Sequence, residues 1–382
     1  MSANGYTTQY GDTAYRINPQ PPLEEVDIPK IERCVTKPQD VVVLPPDDVD
    51  DMSFDPQDST RLPCVEVMKA ENATQAYMKI QKQSKSLGHH APNWGCVYFG
   101  IVLPRVGDGV FQCPKPEDAQ HVAIKRLTKI VVDTAIRQGK RENPYNEIRR
   151  MQRFGDNRHV LGLVEALEDD QYLYIIMPYC EQGSLVERIP WRKGVQEDAA
   201  RSIFLNILEN MIYLHERGIC HRDLSPDNCM VLNGRVVFND LAMSFRIPNS
   251  GHVLGMGGFG KPAYLPPEVC VNLPFDAKGC DLWSAAVILF NLVTGEVGWT
   301  EPFPGNLLFR YFLLAGGLSR SPANERTVEI LMDEPAESPL KNLVRKCLSL
   351  SPEVLDLIEG MLKISADERW NIDQVLRSSW IR

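Results

Sequence analysis

A lysine closing "VAIK" (Lys125), a glutamate in the helix-like "NEIRRMQRF" (Glu147), an aspartate and an asparagine five residues apart in "HRDLSPDN" (Asp223 and Asn228), and an aspartate ending "RVVFND" (Asp240) are the side chains best suited to joint chemistry. They supply what moving a phosphoryl group from a nucleotide requires. That is a cation for phosphate oxygens, carboxylate and amide oxygens for a divalent metal, and an acceptor for a hydroxyl proton. Alone, Lys125 and Glu147 would read as a surface ion pair. Their weight comes from the groups that follow them in order.

The elements around them must bring five distant residues together. Lys125 sits on an alternating run, "HVAIKRL" (121 to 127), that can point it into a cleft, and Glu147 lies in the next helix. Other β-type runs are "CVYFGIVL" (96 to 103), "HVLGLVEAL" (159 to 167) and "YLYIIMPY" (172 to 179). From residue 197 the period becomes helical, with Ile203, Ile207, Met211 and Leu214 on one face, and "DLWSAAVILFNLVTG" is apolar almost all round. A small β-rich part therefore precedes a larger helical part, with the break near "CEQGSL" (180 to 185).

Composition sets the outer limits. The chain has 382 residues, 43% hydrophobic and 24% charged, which is ordinary for a globular protein. No apolar run reaches the roughly 18 residues a membrane span needs, and the start lacks a signal-peptide pattern. The expectation is an intracellular protein, cytoplasmic with the nucleus also open. The ten cysteines are scattered without CxxC, as for reduced thiols, so no zinc site is expected. Of the net charge of −9, residues 1 to 65 carry −7, from twelve Asp/Glu against five Lys/Arg. The remainder has no basic face for nucleic acid. Residues 1 to 65 also hold nine of the 28 prolines and are expected to be a largely disordered acidic tail. Residues 66 to 87 could form a helix with a loose stripe at Val67, Ala70, Ala73, Tyr77 and Ile80.

In order and spacing these groups resemble the eukaryotic protein kinase family. The resemblance covers about residues 80 to 382 and joins "VAIK", "HRDLSPDN", "NDLA", "YLPPE" (264 to 268), "CDLWS" (280 to 284) and "ADERW" (366 to 370). It implies an α+β, two-lobed kinase fold: a β-rich N-lobe with one helix, αC, over residues 88 to 179, a hinge over 178 to 184, and a helical C-lobe over 185 to 382. It implies ATP and Mg²⁺ as cofactors and a protein substrate with a serine or threonine hydroxyl. No nucleic acid or membrane partner is implied.

Carried over residue by residue, Lys125 would hold the α- and β-phosphates and pair with Glu147. Asp223 would orient the substrate hydroxyl and accept its proton, and Asn228 and Asp240 would bind magnesium. Val97, Ala123 and Met230 would sandwich the adenine, Met177 would stand behind it, and the hinge at Tyr179 and Cys180 would bond it. Glu268 and Arg369 would form a structural ion pair tying the activation segment to the C-lobe.

The sequence departs from the family pattern in three places. The glycine-rich loop is poor: in "LGHHAPNWGCVYFG", Gly95 is kept, but His90 and Pro92 fall where glycines are expected, or else Gly88 is the first glycine of a longer loop. "DLA" replaces Asp-Phe-Gly. Ser225 stands where Ser/Thr members carry a lysine, while Lys261 stands where they carry a threonine. One reading is that the two residues have exchanged roles, with the Lys261 ammonium entering the site and Ser225 bonding to it or to Asp223. The other leaves Lys261 in solvent and the site one charge short. Separately, the rival to an active enzyme is a pseudokinase acting as a nucleotide-binding or protein-interaction scaffold.

Arg222 resembles kinases whose activation loop is ordered by phosphate, so an activating kinase or partner could act there. Ser250 is the better of its two serines for that purpose, and a solvated loop serine is the plainer meaning. "GKPAYLPPE" follows the Ser/Thr form. Residues 318 to 350 are expected to be an extended loop of the C-lobe.

Overall fold

The computed structural model of the chain describes residues 7–10, 13–16, 29–35, 42–44, 64–70, 75–80, 95–108, 110–140, 142–253, 260–303, 305–306, 309, 335 and 338–382. Its first part is a sheet of strands β3 (Glu32–Val35), β4 (Val42–Leu44), β5 (Cys64–Ala70), β6 (Gln75–Ile80), β7 (Gly95–Gly107), β8 (Val110–Gln112), β9 (His121–Thr128), β10 (Glu165–Glu168) and β11 (Tyr172–Pro178), with β1 (Thr7–Tyr10) and β2 (Thr13–Arg16) pairing separately. Helices α1 (Lys129–Arg137) and α2 (Pro144–Phe154) sit between β9 and β10.

The sheet closes on itself. Hydrogen-bonded neighbours run β7, β6, β5, β3, β10, β11, β9 and back to β7. A closed ring leaves no open edge among these strands. Alternation then splits β9 cleanly: Val122 and Ile124 fill the ring interior with Tyr77, Val102, Leu167, Tyr174 and Ile176, while Lys125 on the other face is left for the cleft. On the outer face Leu127 of β9 joins Leu173, Ile175 and Met177 of β11 in a second cluster, which packs Ile148 and Met151 of α2.

Three expectations are corrected here. The helix expected over residues 66 to 87 is replaced, where the chain is described, by strands β5 and β6, which pair antiparallel, and its remaining residues lie outside the described ones. Tyr77 faces the ring interior and Ala76 and Met78 face a separate cluster with Ile101 and Leu103, so the strand is buried on both faces and shows no alternation. The helical spacing of its apolar residues was coincidental. The acidic tail is not disordered throughout: β3 completes the ring, Cys34 is buried, and Ile31 packs with the α2 cluster. Averaging composition over 65 residues hid the short apolar piece "IERCV". The N-lobe sheet accordingly begins well before residue 88. Finally, within residues 318 to 350, Pro339–Ser349 is a helix capped by Ser338 and buries Leu343, Val344 and Cys347.

The second part is helical. After α3 (Leu185–Arg188), α4 (Glu197–Glu216) buries Ala200, Phe204, Ile207, Leu208, Met211 and Leu214, one face of a 3.6-residue period. Acid residues open its first turn, as the helix dipole favours. Short pairs β12 (Ile219–Cys220) with β15 (Phe245–Arg246), and β13 (Cys229–Leu232) with β14 (Arg235–Phe238), carry the loops that matter for chemistry. The short α5 (Pro267–Cys270) precedes α6 (Ala277–Thr294), which is buried on nearly every side, started by the Asp276 cap and stopped by Gly295 at φ 69°. A two-lobed α+β protein kinase fold results. Among the described residues, no helix is long and apolar enough to cross a membrane.

Candidate active site

Asn143 caps α2 by accepting from the amides of Tyr145 and Asn146, and Pro144 opens its first turn. That start places Glu147 inward, where it is buried and accepts from Lys125 Nζ at 2.9 Å. The same ammonium reaches Asp240 Oδ1 at 3.2 Å, so one cation joins a helix of the first lobe to a loop of the second. Burial alone would lower the Lys125 ammonium, but the carboxylates of Asp240 and Glu147 outweigh it and raise its pKa above the ordinary lysine value.

Asp223 lies on the loop after β12, and Asp281 of α6 anchors that loop. Its fully buried carboxylate accepts from the amides of His221 (2.9 Å) and Arg222 (2.7 Å) and pairs with His215 at 2.8 Å. Burial would raise Asp281, yet the hydrogen bond and charge of His215, with His221 and the Arg222 amide, hold it lowered. Asn228 spends both amide hydrogens on Asp223, at its carbonyl (2.7 Å) and at Oδ2 (2.9 Å). That leaves the Asn228 carbonyl oxygen as its acceptor. Burial raises the Asp223 carboxyl, Asp240 adds to this, and Lys261, His221 and Asn228 oppose it.

Lys261 reaches Asp223 and Ser225 from the activation segment. Its amide donates to Asp223 Oδ1 at 3.2 Å, and its ammonium donates to Ser225 Oγ at 2.7 Å and to Asp227 Oδ2 at 2.8 Å. Of the two placements open in the sequence, the side chain takes the one beside Ser225.

The "DLA" triplet is tied to α2. The Asn143 amide donates to the Ala242 carbonyl at 2.9 Å, and Arg150 donates to Ser244 Oγ at 2.6 Å and to the Leu241 carbonyl at 3.3 Å. Leu241 and Ala242 are both buried, and Asp240 takes φ 59°, a left-handed conformation aspartate tolerates better than most residues.

Register fixes the face above the cleft. Val97 pairs with Lys125 and Phe99 with Ala123, so these four share one side of the β7–β9 ladder. Gly95 pairs with Leu127, and a Cβ there would run into the Arg126 carbonyl. Met177 and Cys180 are buried in one apolar cluster, with Met230 packed against it. Tyr179 is held by its amide on the His121 carbonyl (3.3 Å) and by edge-on contact with Phe99. Gly88, His90 and Pro92 lie outside the described residues.

Below the loop, Arg369 binds Glu268 with both terminal nitrogens, at 2.7 and 3.0 Å, and stacks over Trp283.

The structure thus forms two hydrogen-bonded groups, Glu147 and Asp240 on Lys125, and Asn228 and Lys261 on Asp223 with Ser225 on Lys261, close enough for the Asp240 charge to act on Asp223. Sequence reasoning did not single out Asp227 or Arg150, and weighed Ser244 only as the lesser of the two serines open to phosphorylation. Arg150 lies three residues after Glu147, on the same helical face, which was the available signal. The oxygen donors of Asn228 and Asp240 suit a hard divalent cation.

The family model described as a protein kinase domain matches residues 105–381, well over half the chain. Among curated proteins the chain is 32% identical to the mouse sperm motility kinase Tcr mutant form over 200 residues, covering 51% of this chain and 40% of that protein. It is 29% identical to rice CBL-interacting protein kinase 11 over 266 residues (69% of this chain, 46% of that protein), and 26% identical to rat serine/threonine-protein kinase STK11 over 315 residues (80% and 63%). The chain spans less than two thirds of the length of each of these relatives.

Proposed function

Because the chain belongs to the protein kinase family, we propose that it is a serine/threonine protein kinase that transfers the γ-phosphoryl group of ATP to hydroxyls of protein substrates. The observation that carries this is the contiguity of Glu147, Lys125 and Asp240, next to a loop where Asn228 fixes Asp223. Lys125, aligned by Glu147, holds the nucleotide phosphates. The Asn228 carbonyl oxygen and the Asp240 carboxylate hold Mg²⁺, which when bound neutralises charge on the phosphate oxygens.

Asp223 orients the acceptor hydroxyl and takes its proton. Its raised carboxyl makes it a better base than an ordinary aspartate would be. Lys261 supplies the cation that a serine at position 225 cannot, and Ser225 and Asp227 fix its position. Val97, Ala123, Met177 and Met230 enclose the adenine, and Tyr179 and Cys180 supply the hinge backbone. Glu268 and Arg369 hold the substrate-facing segment and do not react. The relative named as a serine/threonine-protein kinase supports this acceptor class.

The test is transfer from γ-labelled ATP with Mg²⁺ to a serine- and threonine-bearing protein such as casein, beside Asp223→Asn. Label on serine or threonine that the variant abolishes is expected. Equal background in both proteins would overturn the reading in favour of a nucleotide-binding scaffold.

A further inference from the structure

Helix α2 carries Glu147 near its start and is gripped near its end by the N-terminal segment. Gln152 Oε1 accepts the Lys30 amide at 2.9 Å, and Gln152 Nε2 donates to the Lys30 carbonyl. One side chain thereby satisfies both backbone groups of one residue, much as a neighbouring strand would. The next residue, Ile31, packs into the apolar cluster that holds Ile148 and Met151 of α2. Glu32 and Arg33 then pair in parallel with Leu167 and Glu168 of β10, and Cys34 and Val35 pair with Ala70 and Lys69 of β5.

Residues 30–35 therefore hold the helix at one end and the closed sheet at the other. A cavity of about 480 Å³ lies at this joint, lined by Lys30, Glu32 and Gln75 with Gln152 of α2 and Glu165. The cavity leaves this end of the helix–sheet joint open, beside the apolar cluster that packs Ile148 and Met151 on β9 and β11, and residues 30–35 bridge it. Gln152 is five residues past Glu147, a rise of about 7.5 Å along the helix, short enough for a rigid helix to transmit the constraint.

We propose that residues 30–35 are an intramolecular clamp that holds α2 where Glu147 meets Lys125, an activating partner supplied in cis. The segment acts through α2, so its residues are positioning residues and not catalytic ones.

The test is hydrogen exchange on the full chain without nucleotide or substrate, so it does not depend on the enzymatic reading. Gln152→Ala and Ile31→Asp are expected to raise exchange of the amides of residues 148–154 by about tenfold or more, while those of α6 stay as in the parent. Arg33→Ala, on the exposed side of the same strand, should change neither. Turnover should fall in the first two variants in proportion to the loosening of α2. Unchanged α2 exchange in Gln152→Ala, or an equal rise in α2 and α6, would overturn the clamp. Because Gln152→Ala removes only the hydrogen bonds and leaves Ile31 packed, it decides the matter if Ile31→Asp fails to fold.

Discussion

The Lys261 ammonium donates to the Ser225 hydroxyl across 2.7 Å, although 36 residues separate the two in sequence. Asp227 Oδ2 lies 2.8 Å from the same nitrogen, so the cation is held at two points over the loop that carries Asp223. On the proposed reading, this lysine supplies from the activation segment the positive charge that position 225 lacks.

Lys261→Met should then lower turnover by about 100- to 1,000-fold, the usual weight of one well-placed donor, with little change in folding stability. Adding Ser225→Lys to that variant should recover a substantial part of the rate. Steady-state kinetics on the single and double variants checks this, and an unchanged rate in Lys261→Met would remove the cation from the mechanism.

Lys125→Met should abolish transfer and also destabilise the fold. It strips the shared cation from Glu147 and Asp240, and an uncompensated buried carboxylate costs about 3–5 kcal/mol. Glu147→Gln removes one charge and keeps the shape, so it should fold nearly as well while lowering kcat/KM. Urea denaturation separates the two effects.

His159 stacks on Tyr213 and bonds through Nδ1 to Asn210, and burial pushes its pKa down to about 4. A histidine lowered on folding stays neutral in the native state and protonates more readily when unfolded. Its stabilising contribution is complete above pH 6.5 and is lost as pH falls from 6.5 towards 4. With partial exposure the loss should be on the order of 1–2 kcal/mol. Melting curves of the parent and of His159→Gln should converge as pH is lowered across that window.

Arg369→Ala should cost about 3–5 kcal/mol, because it leaves the Glu268 carboxylate without its two-point partner. Transfer should fail at lower temperature than in the parent, with the KM for ATP nearly unchanged below the melting point.

Gly95→Ala should weaken nucleotide binding. The added methyl meets the Arg126 carbonyl, a backbone atom that cannot swing aside, and the β7–β9 ladder must part where Val97 and Lys125 face each other. Calorimetry with ATP and Mg²⁺ measures the loss.

The C-lobe was legible because its helices carry their period in local sequence. Ile207, Met211 and Leu214 declare α4, though its buried face takes Phe204 in place of the Ile203 read from the sequence, and α6 is apolar all round because it is buried all round. The β6 strand was not legible, since Ala76, Tyr77 and Met78 are all buried on opposite faces and leave no alternation to see. Nor was β3, whose few apolar residues gain meaning only from the sheet they complete.

The sequence by itself determined the identity and order of the chemical groups: Lys125, Glu147, Asp223, Asn228 and Asp240 stand in motifs whose spacing survives any drawing of the fold. Only the tertiary structure decided which groups touch. Whether Lys261 meets Ser225, whether Arg150 grips the Leu241 carbonyl, and whether residues 30–35 close a ring of strands depend on chain segments tens to more than a hundred residues apart. Hydrogen bonds and ion pairs act over a few ångströms, so contacts of that kind become defined only when the lobes have folded and brought their surfaces together.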